Sequence, residues 1–352
     1  MKAGKLVGRV IAGIAACAAI ALVIPLSACG FPHRTPTPSA STSAAAPAKG
    51  PINVVASVNQ WGVLAEQIGG TDVNVTTILS STAVDAHDFE PKTSDIAAIQ
   101  KAQVVVTNGA GYDTWATKSL AKGTINVSAA ATVGAINGDN PHLWFSKDAR
   151  NAMATELADV FSKALPAKKK SFDKHLKAWR QREDALEDDM AAFAKRHKNT
   201  PYAATEAVAY YLMSDMQFKD VTPDGYAQAV ASGGEAAPAD LQAFQRLLDS
   251  GNVPLLVNNP QEHSDSAAAL TKMAAKNKIA VINITEQMPS DQRSLTGWIS
   301  SLVSDIAEAV DTDADSAAAS PSPSSSSSAS PSDDASASAT DAATASPSAS
   351  SD

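Results

Sequence analysis

Between residues 168 and 198 apolar side chains recur every three or four positions, at Phe172, Leu176, Trp179, Leu186, Met190 and Phe193, with Glu183 taking the one step that lacks a hydrophobe. That spacing marks one stripe of an α-helix, and Lys, Arg, Asp and Glu occupy the other faces. A single helix over 168–198 would be about 45 Å long at about 1.5 Å per residue. Such a length spans two lobes, so the stripe predicts a rigid connector that permits only small hinge motions. Two shorter helices in a bundle, broken near Glu183, are the competing reading, because periodicity alone does not exclude a break.

Both flanks of this segment alternate strand and helix patterns. On the N-terminal side Ile52-Asn53-Val54-Val55-Ala56 reads as a buried strand and Ser57 as an N-cap. Trp61, Leu64, Ala65 and Ile68 then form the apolar face of a helix stopped by Gly69-Gly70. Val73 to Leu79 is a second strand, Ser94 to Lys101 a helix, and Val104 to Asn108 a third strand closed by Gly109-Ala110-Gly111. On the C-terminal side Tyr202 to Thr205, Val253 to Asn258 and Ile279 to Ile284 read as strands, with helices at Asp240 to Leu248 and Ser264 to Lys278. Pro254 fits only at a strand start, since proline removes a ladder donor. The class is α/β, two doubly wound lobes joined by one long helix.

The ends have a different composition. Lys2, Lys5 and Arg9 precede an apolar run from Val10 to Ile24, the pattern of an export signal. It closes on Leu26-Ser27-Ala28-Cys29-Gly30, which resembles a bacterial lipobox, so residues 1–28 are expected to be removed and Cys29 to carry diacylglycerol. Cys17, the other cysteine, lies inside the signal, which leaves no disulfide pair and no cysteine cluster for zinc. Residues 29–51, rich in Pro, Ser, Thr and Ala, read as a flexible linker, and 312–352, rich in Ser, Ala, Pro and Asp, as a disordered tail. Between them lie a lobe at 52–167, the connecting helix at 168–198 and a second lobe at 199–311. Part of the net charge of -9 sits in the tail, and no basic patch suggests nucleic acid.

Of six histidines, His87 in Asp85-Ala86-His87-Asp88-Phe89-Glu90-Pro91 and His142 in Asn140-Pro141-His142-Leu143-Trp144 sit in turn-rich breaks of the βα pattern. Glu206 follows the strand Tyr202 to Thr205, and Glu286 follows Ile279 to Ile284. Open α/β sheets bind ligands beyond the carboxyl ends of their strands, and neutral imidazole is the commonest ligand for zinc-like ions. The four residues together therefore point to one metal site shared by two lobes. Singly each has an ordinary reading: a loop histidine as a solvated group, a glutamate after a strand as charge at a helix N-terminus. His175 and His197 fall on the connecting helix, His33 in the linker, and His263 near a strand end where it could support the ligands. Gly109-Ala110-Gly111 lacks the third glycine of a dinucleotide fingerprint, Thr114 standing there, and reads as a turn.

Val54-Val55-Ala56-Ser57 with Trp61-Gly62, Glu66 to Gly70, the two histidine segments, and Asn108-Gly109-Ala110-Gly111-Tyr112-Asp113 resemble the zinc- and manganese-binding lipoproteins of bacterial ABC importers. The likeness covers nearly all of 52–310. It implies two α/β lobes on one long helix, with His87 and His142 as ligands from the first lobe and Glu206 and Glu286 from the second. Asp291 competes with Glu286 for the fourth position. The resemblance further implies one divalent cargo ion, Mn2+ or Zn2+, a permease partner, a monomer, and a lipid-anchored place outside the cytoplasm. Two imidazoles with two carboxylates lean toward Mn2+, while the general affinity order favours Zn2+. Other classes stay open: a surface adhesin or spacer lipoprotein, and an exported metallohydrolase. The last is weakened by the lack of His-Glu-x-x-His or Gly-x-Ser-x-Gly.

Overall fold

The computed structural model describes residues 50–318 apart from Asp85, His87 and Asp88, and excludes the side chains of 313–318. Cys29, the export signal, the linker and the tail beyond Ala318 lie outside the described residues, as does His87. In the first lobe the chain runs β1 (Ile52–Val58), α1 (Asn59–Gly69), β2 (Val73–Leu79), α2 (Thr93–Lys101), β3 (Val104–Thr107), α3 (Thr114–Thr117), β4 (Ile125–Ser128), α4 (Ala129–Val133) and α5 (Lys147–Ala164). The connector is α6 (Lys169–His197). The second lobe holds β5 (Pro201–Ala204), α7 (Tyr210–Asp215), β6 (Lys219–Asp220), α8 (Asp224–Ala231), α9 (Pro238–Asp249), β7 (Leu255–Asn258), α10 (Asp265–Lys276), β8 (Ala280–Asn283) and α11 (Leu295–Ala318).

Both sheets are parallel throughout and repeat one topology, β2-β1-β3-β4 and β6-β5-β7-β8. Apolar runs such as Val104 to Val106 are covered on both faces, as parallel strands between helix layers must be. Strand order reverses between β1 and β3, and again between β5 and β7. These switch points open a crevice at the carboxyl ends of the strands.

The connector is one unbroken helix of 29 residues, and the two-helix alternative is not what forms. Phe172, Trp179, Leu186, Met190 and Phe193 are buried along it in a single hydrophobic cluster that also contains Val54 and Leu157 of the first lobe and Leu255 and Ile299 of the second. A continuous core across the lobes opposes hinge motion: opening would expose apolar surface at about 25 cal/mol per Å². Glu183, where the stripe lacks a hydrophobe, is fully buried and accepts from Arg150 Nε at 2.8 Å and Nη2 at 2.5 Å, while Thr296 Oγ1 donates to its other oxygen at 3.1 Å. One carboxylate thereby ties α5, α6 and α11 together.

Two local expectations are corrected. Ser57 is the penultimate residue of β1, not an N-cap; Val58 holds that position, and the Ser57 hydroxyl donates instead to Asp113 Oδ2 at 2.5 Å. The boundary expected at Thr312 falls within α11, which continues to Ala318. Alanine is the strongest helix former, and a helix already nucleated elongates at little cost.

Candidate metal centre

Glu206 lies just past the end of β5, and Glu286 lies three residues beyond β8, so the second lobe delivers both carboxylates from strand ends. His142 comes from the first lobe, at the N-terminus of a short 3-10 turn, Leu143–Phe145, that leads into α5. His142, Glu206 and Glu286 each offer a ligand atom, and these atoms all lie within 4.8 Å of one another. His142 Nε2 stands 3.5 Å from Glu206 Oε1. The structure thus gathers three of the four sequence-predicted residues. Asp291 is exposed and is not part of the cluster, which favours Glu286 over it.

The histidine tautomer is set by its own loop. Asn140 Oδ1 lies 2.9 Å from His142 Nδ1 and accepts the His142 backbone N–H at 2.9 Å, while Asn140 Nδ2 donates to Ala207 O at 2.7 Å across the cleft. With the amide oriented by Ala207, Asn140 presents only its oxygen to the ring. Nδ1 carries the proton, which makes Nε2, the nitrogen that faces the carboxylates, the one available to a metal.

Each carboxylate is held by neutral donors. Asn259, buried one residue past β7, directs Nδ2 at Glu206 Oε2 (2.6 Å) and Glu286 Oε1 (3.3 Å), while its Oδ1 accepts the Gln261 backbone N–H at 3.0 Å. Tyr112 donates its hydroxyl to Glu286 Oε2 and accepts from Gln287 Nε2 at 3.0 Å. Burial first, then the charges of Glu286 and Glu206, raise the Tyr112 hydroxyl well above its ordinary pKa, so it remains a donor. Tyr112 is aimed by the turn after β3, where Gly109, Ala110 and Gly111 take φ of 79°, 51° and 90°. Asp113 pins that turn by accepting from the backbone N–H groups of Asn108 (2.6 Å) and Gly109 (2.8 Å). Burial raises the Asp113 carboxyl, and these donors act against the rise. The expected turn at Gly109 to Gly111 thus serves the site by placing Tyr112.

Further bonds join the lobes around the centre. Asn59 donates to Met288 O at 2.6 Å and accepts Met288 N–H at 3.1 Å, Gln60 Nε2 donates to Glu286 O, and Tyr211 donates to Asn140 O at 3.0 Å. Beside the cluster lies a cavity of about 300 Å³ lined by Glu206, Glu262, His263 and Glu286. His263 is exposed at its mouth, apart from the ligand cluster. His175 serves packing between α6 and α1, with Nδ1 3.0 Å from Ile68 O and the ring filling the space beside Gly70, where a Cβ would come within 2.5 Å. His197 pairs with Asp311 at 2.7 Å and stacks on Phe193.

Two parallel α/β sheets on one long helix, with imidazole and carboxylates meeting where their strand ends face, define a two-lobed α/β protein with a candidate metal centre between its lobes. The chain belongs to the family described as zinc-uptake complex component A, periplasmic, whose family model matches residues 54–309. Among curated proteins it is similar to the zinc-binding lipoprotein AdcA of Streptococcus pneumoniae, 22% identical over 268 residues, covering 69% of this chain and 52% of that one. The chain therefore spans about half the length of the curated relatives it matches. Among solved structures it resembles the periplasmic zinc binding protein TroA of Treponema pallidum, with a TM-score of 0.63 at 16% identity over 74% of this chain and 99% of that one. It also resembles FpvC of Pseudomonas aeruginosa, solved in complex with Mn2+, with a TM-score of 0.62 at 18% identity over 74% and 99% of the two chains. At these identities the structural likeness concerns the fold.

Proposed function

We propose that this protein captures one divalent transition metal ion, Zn2+ or Mn2+, outside the cytoplasm and delivers it to an ABC-type permease in the membrane. The observation that carries this reading is the convergence of His142, Glu206 and Glu286 at the facing ends of both lobes. His87 is the fourth ligand, carried over from the sequence resemblance. The family's description as a zinc-uptake component and the names of AdcA and FpvC support the same cargo class. The ion is cargo: it enters, is held and leaves, and no covalent chemistry is done on it. Four protein ligands would fill a tetrahedral shell and leave no position for a reactive water, which argues against hydrolysis. The protein acts as a monomer and without nucleic acid. Calorimetric titration of the purified chain with Zn2+ and Mn2+ tests the proposal. One ion per chain is the expected result, and no binding of either metal would overturn it.

Anchoring at Cys29 completes the proposal, since a carrier that feeds a permease gains from staying at the membrane. Lipid burial is worth about 0.8 kcal/mol per methylene, and two or more acyl chains hold where one is marginal. Radiolabelled palmitate is expected to enter the wild-type protein, and Cys29→Ser should leave the chain unlabelled and either released or unprocessed. A wild-type protein that takes up no label would refute the anchor.

A further inference from the structure

Asn259 is a neutral residue buried between two carboxylates, and its orientation is not free. Its Oδ1 is occupied by the Gln261 backbone N–H, so Nδ2 must face the cluster, where it donates to one oxygen of each glutamate. Thr205 Oγ1, at the end of the neighbouring strand segment, accepts the Asn259 backbone N–H at 3.3 Å and fixes the residue from behind. On Glu286 the second oxygen is taken by Tyr112, whose hydroxyl must donate there because Gln287 already donates to it. Three of the four carboxylate oxygens therefore carry a neutral donor, and Glu206 Oε1, the fourth, faces His142 Nε2.

A hydrogen-bonded oxygen keeps one lone pair for a metal, but chelation by both oxygens of one carboxylate requires both to turn toward the ion. We infer that Asn259 sets the preference of the site for zinc over manganese by holding Glu206 to one ligating oxygen, while on Glu286 it shares that task with Tyr112. The inference rests on the proposed reading that these carboxylates hold the ion. Single-oxygen ligation gives two oxygen donors, and each carboxylate released to chelate adds one more. The smaller number suits the tetrahedral, nitrogen-rich shell of zinc, and the larger suits the six-coordinate, oxygen-rich shell of manganese. The slight lean toward manganese that the ligand types alone give is thus reversed by the residue between them.

Asn259→Leu keeps the branched outline and removes the donor together with the acceptor for Gln261 N–H, and Asn259→Ala removes the outline as well. In the full chain each variant should lower the ratio of Zn2+ to Mn2+ affinity by about tenfold or more, the usual scale for losing a partner of a metal ligand. Manganese-edge X-ray absorption should show more oxygen neighbours in the variants than in the wild type. Thermal unfolding of the metal-free variants identifies any that fail to fold, so that the ratio is read on the folded one. An unchanged ratio with an unchanged neighbour count overturns the inference and leaves the metal-carrier reading standing. A wild-type chain that binds neither ion overturns both.

Discussion

Glu183→Ala is expected to cost about 3–5 kcal/mol of folding stability in the metal-free protein, because it strands the Arg150 guanidinium in a fully buried position. Arg150 and Glu183 are both 0% exposed, and Arg150 spends its remaining reach on Trp144 O at 3.2 Å and Phe145 O at 2.9 Å. Those two carbonyls cannot neutralise it. Against a total stability of about 5–15 kcal/mol for an ordinary domain, such a loss is a large fraction. The double substitution Arg150→Met with Glu183→Leu should recover most of it, since a buried pair exchanged for apolar side chains of similar volume is often neutral. Chemical denaturation of the wild type, the single variants and the double variant gives the answer. A Glu183→Ala cost below about 1 kcal/mol, the range of an exposed pair, would show that water reaches Arg150.

The same residue illustrates what the sequence discloses. Glu183 was visible as the missing step in an otherwise apolar helical stripe, but its partner lies 33 residues upstream on α5, and no periodicity announces that pairing. Strands β1, β3, β5 and β7 were legible because parallel strands buried on both faces are continuous apolar runs bounded by turns, and the half-exposed edge strands β2 and β8 because their Val and Ile residues still mark them. The edge strands β4 and β6 were missed for the converse reason. Ile125 and Asn126 of β4 and both residues of β6 are exposed and carry no pattern. Ser57 had the right type for an N-cap, but its hydroxyl found Asp113, a contact 56 residues away in sequence. At the site the metal-ligand residue types were recognisable, whereas Asn259, Tyr112, Gln261 and Gln287 were not. They are single polar residues with ordinary turn readings. Their sequence signal is only their position past β3 and β7, which flank the switch points, and past β8 beside them, and position becomes informative once strand order is known.

The largest effect on function is expected from His87→Ala with His142→Ala, which should abolish the stabilisation that metal confers. With free metal a thousandfold above the dissociation constant, the wild-type chain should gain about 4 kcal/mol, because the ion binds the folded cleft and not the separated ligands of the unfolded chain. Each single variant should lose most of that gain. His142 is the sharper test, since Asn140 holds its Nδ1 and leaves Nε2 toward the carboxylates. Protons compete for the same nitrogens, so affinity should rise from acid to neutral pH as the imidazoles deprotonate, and level off once both are neutral. His175→Ala is the matched control: its ring contacts Ile68 O and the space by Gly70. That variant should lower the unfolding temperature without metal and still show the full metal-dependent rise. Thermal melts with and without Zn2+ or Mn2+, run across this pH range, separate the cases. A double variant whose melting temperature still rises with metal as the wild type's does would place the binding site elsewhere in the chain.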